Sequence, residues 1–378
     1  MNKISSVIYF SSNEWNSYWI IQQPVANELS KIVPVLYVER NVSLFTILRY
    51  PTMWRKLFMW MRGIRKVKEN LYVYSPIPLF HLGHRFPMIL FADFYLKALA
   101  VKLITRMKPE FSKPTLFFDS PYYQKALTLF PESTSVYHIG DELSAFSTSH
   151  PEKMEAIENN FLPKVNVVFC AATKLVESKR QWNPNIHLIW NAIDHEIFRK
   201  ENVRVIEEMT SIRKPIIGFC GVVSSWFDGE LFEAVVDLLP EFSFVIIGKF
   251  IHEQPPFVKK KNVYFLGSKP RNEMPSVLSM FDVGIIPFKK NRLVENILPL
   301  KYFEYLAVGK PIVATSFSPD LEKVRQYVTL ADAPHEFADA IRSAVHTDSE
   351  EKIRNRKKTA AACTWENRVQ EMLTILQS

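Results

Sequence analysis

Lys301 and Glu304 stand one helical turn apart within the run Asn291 to Thr315, NRLVENILPLKYFEYLAVGKPIVAT. Pro299 sits where a first-turn proline is tolerated, and Leu300, Phe303, Leu306 and Ala307 make an apolar stripe. Gly309 followed by Lys310 and Pro311 ends the pattern, so a short helix entered from a polar loop is predicted. Its first turn would offer unpaired backbone N–H groups near Leu298 to Lys301, a setting suited to a phosphate, and Lys301 would add a positive charge. Glu304, one turn further in, has two oxygens that suit vicinal hydroxyls such as a ribose diol. The plainer reading makes the two residues a surface i,i+3 ion pair worth about 0.2–0.5 kcal/mol.

A second set of candidates follows the strand patterns of the first half. His138, Asp141 and Glu142 come after a strand near 135–138, where an acid would be placed to deprotonate a hydroxyl; Asp141 is the first choice as general base. Asp141 is equally suited to capping a turn over Leu143 to Phe146. Glu14, His138 and Asp119 are the runners-up. The loop Ser11 to Trp19, SSNEWNSYW, offers Trp15 as a ring that could stack on a sugar, or, with Trp19 four residues on, as one buried helix face. Between Val42 and Lys68 no acid occurs, whereas Arg49, Arg55, Lys56, Arg62, Arg65, Lys66 and Lys68 are interleaved with Trp54, Phe58 and Trp60. A basic amphipathic helix of this kind suits an anionic membrane surface, with Trp54, Arg55, Trp60 and Arg62 as its contacts; the alternative is a solvated basic helix with its aromatic residues in the core.

The elements that must position these residues alternate between short β-branched or aromatic runs and longer helical patterns, the signature of α/β folds with parallel sheets. Strands are predicted at 6–10, 34–39, 71–74, 115–118, 135–138 and 165–170, and again at 215–220, 243–248, 262–266, 282–287 and 311–315. The charged stretch 194–214 reads as a linker, which puts a domain boundary near residue 195. The first domain is 1–195 and the second 196–363, and an amphipathic closing helix over 364–378 is expected to pack back on the first. Seven of the ten glycines follow residue 195, with Gly218, Gly221 and Gly248 at strand ends, where ligands bind in open parallel sheets. The second half is therefore expected to hold the nucleotide.

Composition narrows the classes. With 378 residues, 47% hydrophobic and 23% charged, the chain is neither disordered nor a coiled coil. No apolar run is long enough to span a bilayer, and the start carries no cleavable leader pattern, so a cytoplasmic protein is expected. Three scattered cysteines, Cys170, Cys220 and Cys363, suggest neither disulfides nor zinc. The net charge is +7 before residue 196 and +1 after it, so the basic excess is local, which argues against a nucleic-acid partner.

PLKYFEYLAVGKPIVAT resembles the donor-sugar motif of GT-B glycosyltransferases, and is most similar to bacterial family 4-like enzymes of surface polysaccharide assembly. NVYFLGSKPRNEMPSVLSMFDVGIIPF at 262–288, KPIIGFCGVVSSWFDGELF at 214–232, WNAIDHEIF at 190–198 and VYHIGDELSAF at 136–146 extend the resemblance over nearly the whole chain. It implies two Rossmann-like domains facing a central cleft, with the donor on the second, the acceptor on the first, and closure between them. It also implies transfer of a sugar from a nucleoside diphosphate, most often UDP, to a glycan or lipid-linked acceptor at the inner face of the cytoplasmic membrane. Gly221, Lys249, Asn296, Leu300, Lys301 and Glu304 are the candidate donor-binding residues.

Two departures stand out. Where the family often has a glutamate eight residues before Glu304, this chain has Asn296, and the arginine and lysine that commonly grip the diphosphate after the first strand of the second domain are missing, Gly221 being followed by VVSSWFD. Lys301, Lys249 and Arg292 are the remaining candidates for neutralising it. No two aspartates are spaced D-x-D, so neither a metal nor any other cofactor is expected. A nucleotide-sugar 2-epimerase on the same fold, and a non-catalytic GT-B module that binds membranes or acidic polymers, are the alternatives.

Overall fold

The computed structural model describes residues 4–17, 19–40, 44–50, 54, 58–59, 63–76, 97–106, 108–146, 150–198 and 204–378. It divides into two compact units: 1–171 with 175–189 and 369–378, and 172–174 with 190–368.

The first unit is built on an eight-stranded sheet of β1 (Val7–Phe10), β2 (Val35–Val38), β3 (Ile64–Lys68), β4 (Leu71–Tyr74), β5 (Thr115–Phe118), β6 (Ser135–Ile139), β7 (Val167–Cys170) and β8 (Ile186–Leu188). The order is β3-β4-β2-β1-β5-β6-β7-β8, with β3 antiparallel to β4 and the other pairs parallel. The central strand β1, VIYF, is buried at every residue, as a parallel strand covered on both faces requires. Its Tyr9 stacks between Tyr37 of β2 and Phe117 of β5, and Phe10 stacks on Phe118, so the aromatic runs legible in the sequence become cross-strand ladders.

The second unit holds a six-stranded parallel sheet: β9 (Ile216–Cys220), β10 (Ser243–Ile247), β11 (Val263–Phe265), β12 (Val283–Ile286), β13 (Ile312–Ala314) and β14 (Val328–Leu330), in the order β11-β10-β9-β12-β13-β14. The chain runs outward from β9 in one direction, then returns to β12 on its other side and runs outward again. The carboxyl ends of β9 and β12 are thus the switch point at which open α/β sheets form a crevice. The helix Gly229–Leu238 follows β9, and Asp228 caps it by accepting a hydrogen bond from the Leu231 amide at 3.1 Å.

Three expectations change. The basic stretch 49–68 is not one helix: Arg65, Lys66 and Lys68 lie on β3, an edge strand, where Lys66 and Lys68 are exposed while Arg65 is half-buried and pairs with Glu39 at 3.4 Å. β8 and β14 were not expected: each ends its sheet and is only partly buried, so neither carries a continuous apolar run. Pro299 stands at the N-cap, with ψ 145°, and the helix begins at Leu300. Gly309 stops that helix with φ +79°, and the amides of Gly309 and Lys310 turn back to the carbonyls of Leu306 and Tyr305.

Candidate functional site

The carboxyl ends of β9 and β10 meet without side chains between them. Gly248 has φ +145°, and a Cβ built on it would lie 1.9 Å from the carbonyl oxygen of Gly221. Gly221 itself has φ +148° and donates its amide to Ile247 at 2.8 Å. A Cβ on Gly221 would face the Lys301 ammonium at 3.3 Å, so the backbone and Lys301 are brought together because the glycine is bare.

The helix Leu300–Ala307 supplies the charged side of this site. Tyr302, Phe303, Tyr305 and Leu306 are buried against the sheet, which leaves Lys301 and Glu304 half-buried and one turn apart. The Lys301 Nζ lies 4.6 Å from the centre of the Phe288 ring and 5.2 Å from that of Phe219, two aromatic faces that hold a cation where water is scarce. Burial pushes the Lys301 ammonium below its ordinary range, and the Glu304 carboxylate opposes that shift. Burial likewise pushes the Glu304 carboxyl up, while Lys301 and Arg271 favour its charged form. The Cys220 thiol, at the end of β9, is also pushed up by burial and sits in the same field.

Arg271 is a site residue that sequence reasoning missed. It opens the turn Arg271–Glu273 after β11, and its Nη2 pairs with Asp194 Oδ2 at 3.1 Å. Arg271 arrives not from the loops after β9 and β10 or from the donor loop but from the strand beyond them. Its signal in the sequence is the basic segment SKPRN that follows β11.

The remaining donor-side candidates occupy different settings. Asn296 is buried in the turn Val294–Asn296 and donates from Nδ2 to the Arg292 carbonyl at 2.6 Å, so its amide fastens the loop. The neighbouring Glu295 pairs with Lys174. Leu300 is half-buried at the head of the helix, and Lys249 is exposed after β10, its carbonyl accepting from the Val223 amide at 2.9 Å. Asn191 donates to the Leu298 carbonyl at 3.2 Å, just ahead of the helix, and its buried Oδ1 has no hydrogen-bond partner.

In the first unit, Asp141 follows β6, and burial raises its carboxyl to about 6. His138 is buried with Nδ1 unpartnered, and burial lowers its imidazole to about 4, which keeps the ring neutral. Glu142 is engaged by Lys179 at 3.1 Å and by the Ser144 hydroxyl; Lys179 also pairs with Glu158 at 2.6 Å. Asp119 accepts from the Ser12 amide at 2.8 Å and from the Ser11 and Ser12 hydroxyls, which makes it a fastener of the loop after β1 rather than a base. Burial raises it to about 6 against those bonds. The carbonyl of Glu14 accepts from Gln23 Nε2 at 2.8 Å.

Of the two readings of Trp15, the structure takes burial, in a turn rather than a helix: the ring lies edge-on against Trp19 and Tyr37, and its amide donates to Glu39. It is a core ring, not one offered to a ligand. Trp54 is exposed, whereas Arg55, Trp60 and Arg62 lie outside the described residues. Among the described residues, no three His, Cys, Asp or Glu side chains come together as metal ligands, and no helix is long and apolar enough to cross a membrane.

Residues 214–347 match the family model described as "Glycosyl transferases group 1". The curated protein named "Putative teichuronic acid biosynthesis glycosyltransferase TuaH", from Bacillus subtilis (strain 168), is 23% identical over 184 residues, covering 47% of this chain and 46% of that protein. The match thus spans about half the length of this curated relative. Among solved structures, an alpha,alpha-trehalose-phosphate synthase (UDP-forming) from Burkholderia xenovorans has a TM-score of 0.71 at 9% identity, over 99% of this chain and 100% of that one. Sucrose-phosphate synthase from Thermosynechococcus elongatus has a TM-score of 0.69 at 11% identity, over 98% of each chain. Anabaena Alr3699/HepE in complex with UDP has a TM-score of 0.66 at 14% identity, over 98% and 99%. At these identities the likeness establishes the fold, which is GT-B.

Proposed function

We propose that this chain, a GT-B protein whose residues 214–347 form a glycosyl transferases group 1 domain, transfers a sugar from a UDP-sugar to a glycan or lipid-linked acceptor in surface polysaccharide synthesis. The observation that carries this reading is the Lys301 ammonium held between Phe219 and Phe288 against bare Gly221, with Glu304 one turn away. As the glycosidic bond to the diphosphate breaks, negative charge grows on the leaving phosphate. A cation already fixed in a poorly hydrated site stabilises that charge more than the dispersed charge of the bound donor. Glu304 would take the ribose hydroxyls and the first turn of the helix the phosphate oxygens. The uridine assignment is supported by the HepE complex with UDP, and the polysaccharide role by the name of the Bacillus relative.

On the acceptor side we assign the proton to Asp141. A carboxyl held near 6 is largely ionised at neutral pH yet more basic than an ordinary aspartate, as a general base requires. Residues 48–67 present exposed Leu48, Tyr50, Trp54, Phe58 and Val67 beside the exposed cations Arg49 and Lys66, which supports contact with an anionic membrane face. The donor reading is tested by calorimetric titration, in EDTA, with UDP, GDP and their sugars, alongside Glu304→Ala. One nucleotide should saturate the protein and lose about 1.5–3 kcal/mol in the variant, since a charged hydrogen-bond partner is removed. A folded protein that binds none of them would end this reading.

A further inference from the structure

Strands β9 and β12 run side by side only at their amino ends. Val283 pairs with Ile217 and Gly284 with Gly218, and there the ladder stops. β9 nevertheless stays with β10 as far as Cys220 opposite Ile247, and β12 stays with β13 as far as Ile286 opposite Ala314. The two strands therefore part at the switch point, and the polar groups that face the gap need other partners.

Tyr305 supplies them. Its phenol oxygen accepts a hydrogen bond from the Cys220 amide at 3.0 Å, and its proton is directed to the Gly218 carbonyl at 3.3 Å, with the Ile285 carbonyl at 3.5 Å. The ring reaches this position because β12 has a glycine beneath it: a Cβ on Gly284 would come within 2.5 Å of the ring. Tyr305 is fully buried. The next residue after Cys220 is Gly221, where a Cβ would lie 3.3 Å from the Lys301 ammonium. The same helix thus carries the two charged groups of the site and the hydroxyl that fixes the strand end facing them.

We propose that Tyr305 is a positioning residue of the donor site, whose hydroxyl replaces the missing rungs between β9 and β12 and so holds the Cys220–Gly221 backbone where the donor diphosphate needs it. This rests on the donor reading above. Phenylalanine at 305 keeps the ring and its packing but leaves the Cys220 amide without its acceptor, so the strand end is expected to relax.

The test is UDP titration and steady-state kinetics of Tyr305→Phe, with Tyr137→Phe as a matched control. Tyr137 donates to Glu158 Oε1 at 2.7 Å in the first unit, so its loss also removes a buried phenol hydrogen bond. Tyr305→Phe should raise the UDP dissociation constant and the donor KM about tenfold while kcat and the acceptor KM change less than about twofold; Tyr137→Phe should leave UDP binding unchanged. Gly284→Ala, which keeps the hydroxyl but displaces the ring, should weaken UDP binding in the same way and serves if Tyr305→Phe does not fold. A folded Tyr305→Phe with unaltered UDP affinity, or an equal loss in both tyrosine variants, overturns the proposal. Should the unaltered protein bind neither UDP nor GDP nor their sugars, the donor reading fails by itself. Amide exchange then decides the strut: faster exchange at Cys220 and Gly221 in Tyr305→Phe supports it, and unchanged protection overturns it.

Discussion

The carbonyl oxygen of Gly221 fills the space in which a side chain at Gly248 would begin, 1.9 Å from the position of its Cβ. Gly248→Ala must therefore either push β9 and β10 apart or move Gly221 away from Lys301, and it must also hold φ +145° with a side chain. The expected cost is at least about 3 kcal/mol in urea unfolding. A variant as stable as its parent would show that the two strand ends separate freely.

Lys301 is assigned to phosphate, and Lys301→Met should separate phosphate from nucleoside. UDP binding should weaken by about 1.5–3 kcal/mol, the usual value of a hydrogen bond to a charged group, while uridine binding stays the same. Calorimetry with both ligands checks this. Equal losses for both would mean that the lysine supports the pocket wall rather than the diphosphate.

Asp141 gives a pH dependence whose sign follows from its environment. Burial raises it from 3.8 to about 6, so between those values the folded chain holds a proton that the unfolded chain has released. That contribution is favourable at low pH and is lost as pH rises toward 6. Asp141→Asn should therefore be more stable than the parent at pH 8, by at most about 3 kcal/mol and by less because the group is only half-buried; the difference should close near pH 4. Burial shifts His138 the other way, to about 4, but it is present in both proteins and cancels in the comparison. The same variant should lose at least about a hundredfold in transfer rate, and the parent's kcat/KM should rise through pH 6. A variant with no stability gain at pH 8 contradicts the first claim, and an unchanged rate the second.

Lys179 lies between two buried carboxylates, Glu142 and Glu158. Lys179→Met would leave both without their counter-charge and should cost about 3–5 kcal/mol at neutral pH, read by thermal unfolding. Part of the loss should return as pH falls and the carboxyls take up protons. A loss independent of pH would indicate that packing, not charge, is what the lysine provides.

Membrane contact is tested by sedimentation with vesicles containing phosphatidylserine. Arg49→Glu and Lys66→Glu should each weaken binding by about 1 kcal/mol or more, and raised salt should weaken the parent in the same direction. Binding insensitive to both would remove the membrane from the proposal.

The parts of the fold legible in the sequence are those with a pattern of their own. VIYF, TLFF and SVYHI read as buried strands because every residue is apolar, aromatic or able to pair, and the helix at Leu300 announces itself by its stripe and its glycine stop. β3 was hidden because IRKVK carries the charge of an edge, which resembles a solvated helix until its partner β4 is known. Lys301 and Glu304 were visible at one helical turn's spacing. Arg271 was not, because it reaches them from another strand, and the two readings of Trp15 could not be separated because its burial depends on Tyr37, which is far from it in sequence.

Among the described residues β3 is the outermost strand of its sheet, paired with β4, and an edge of this kind is where another polypeptide could add. Arg65 is paired with Glu39, but Lys66 and Lys68 are exposed along it, and charge of one sign makes that addition electrostatically unfavourable for a second copy of the same strand. Exchanging them for neutral apolar residues would trade a charged border for a sticky one. Insolubility, rather than lost affinity for lipid, would then be the first change seen.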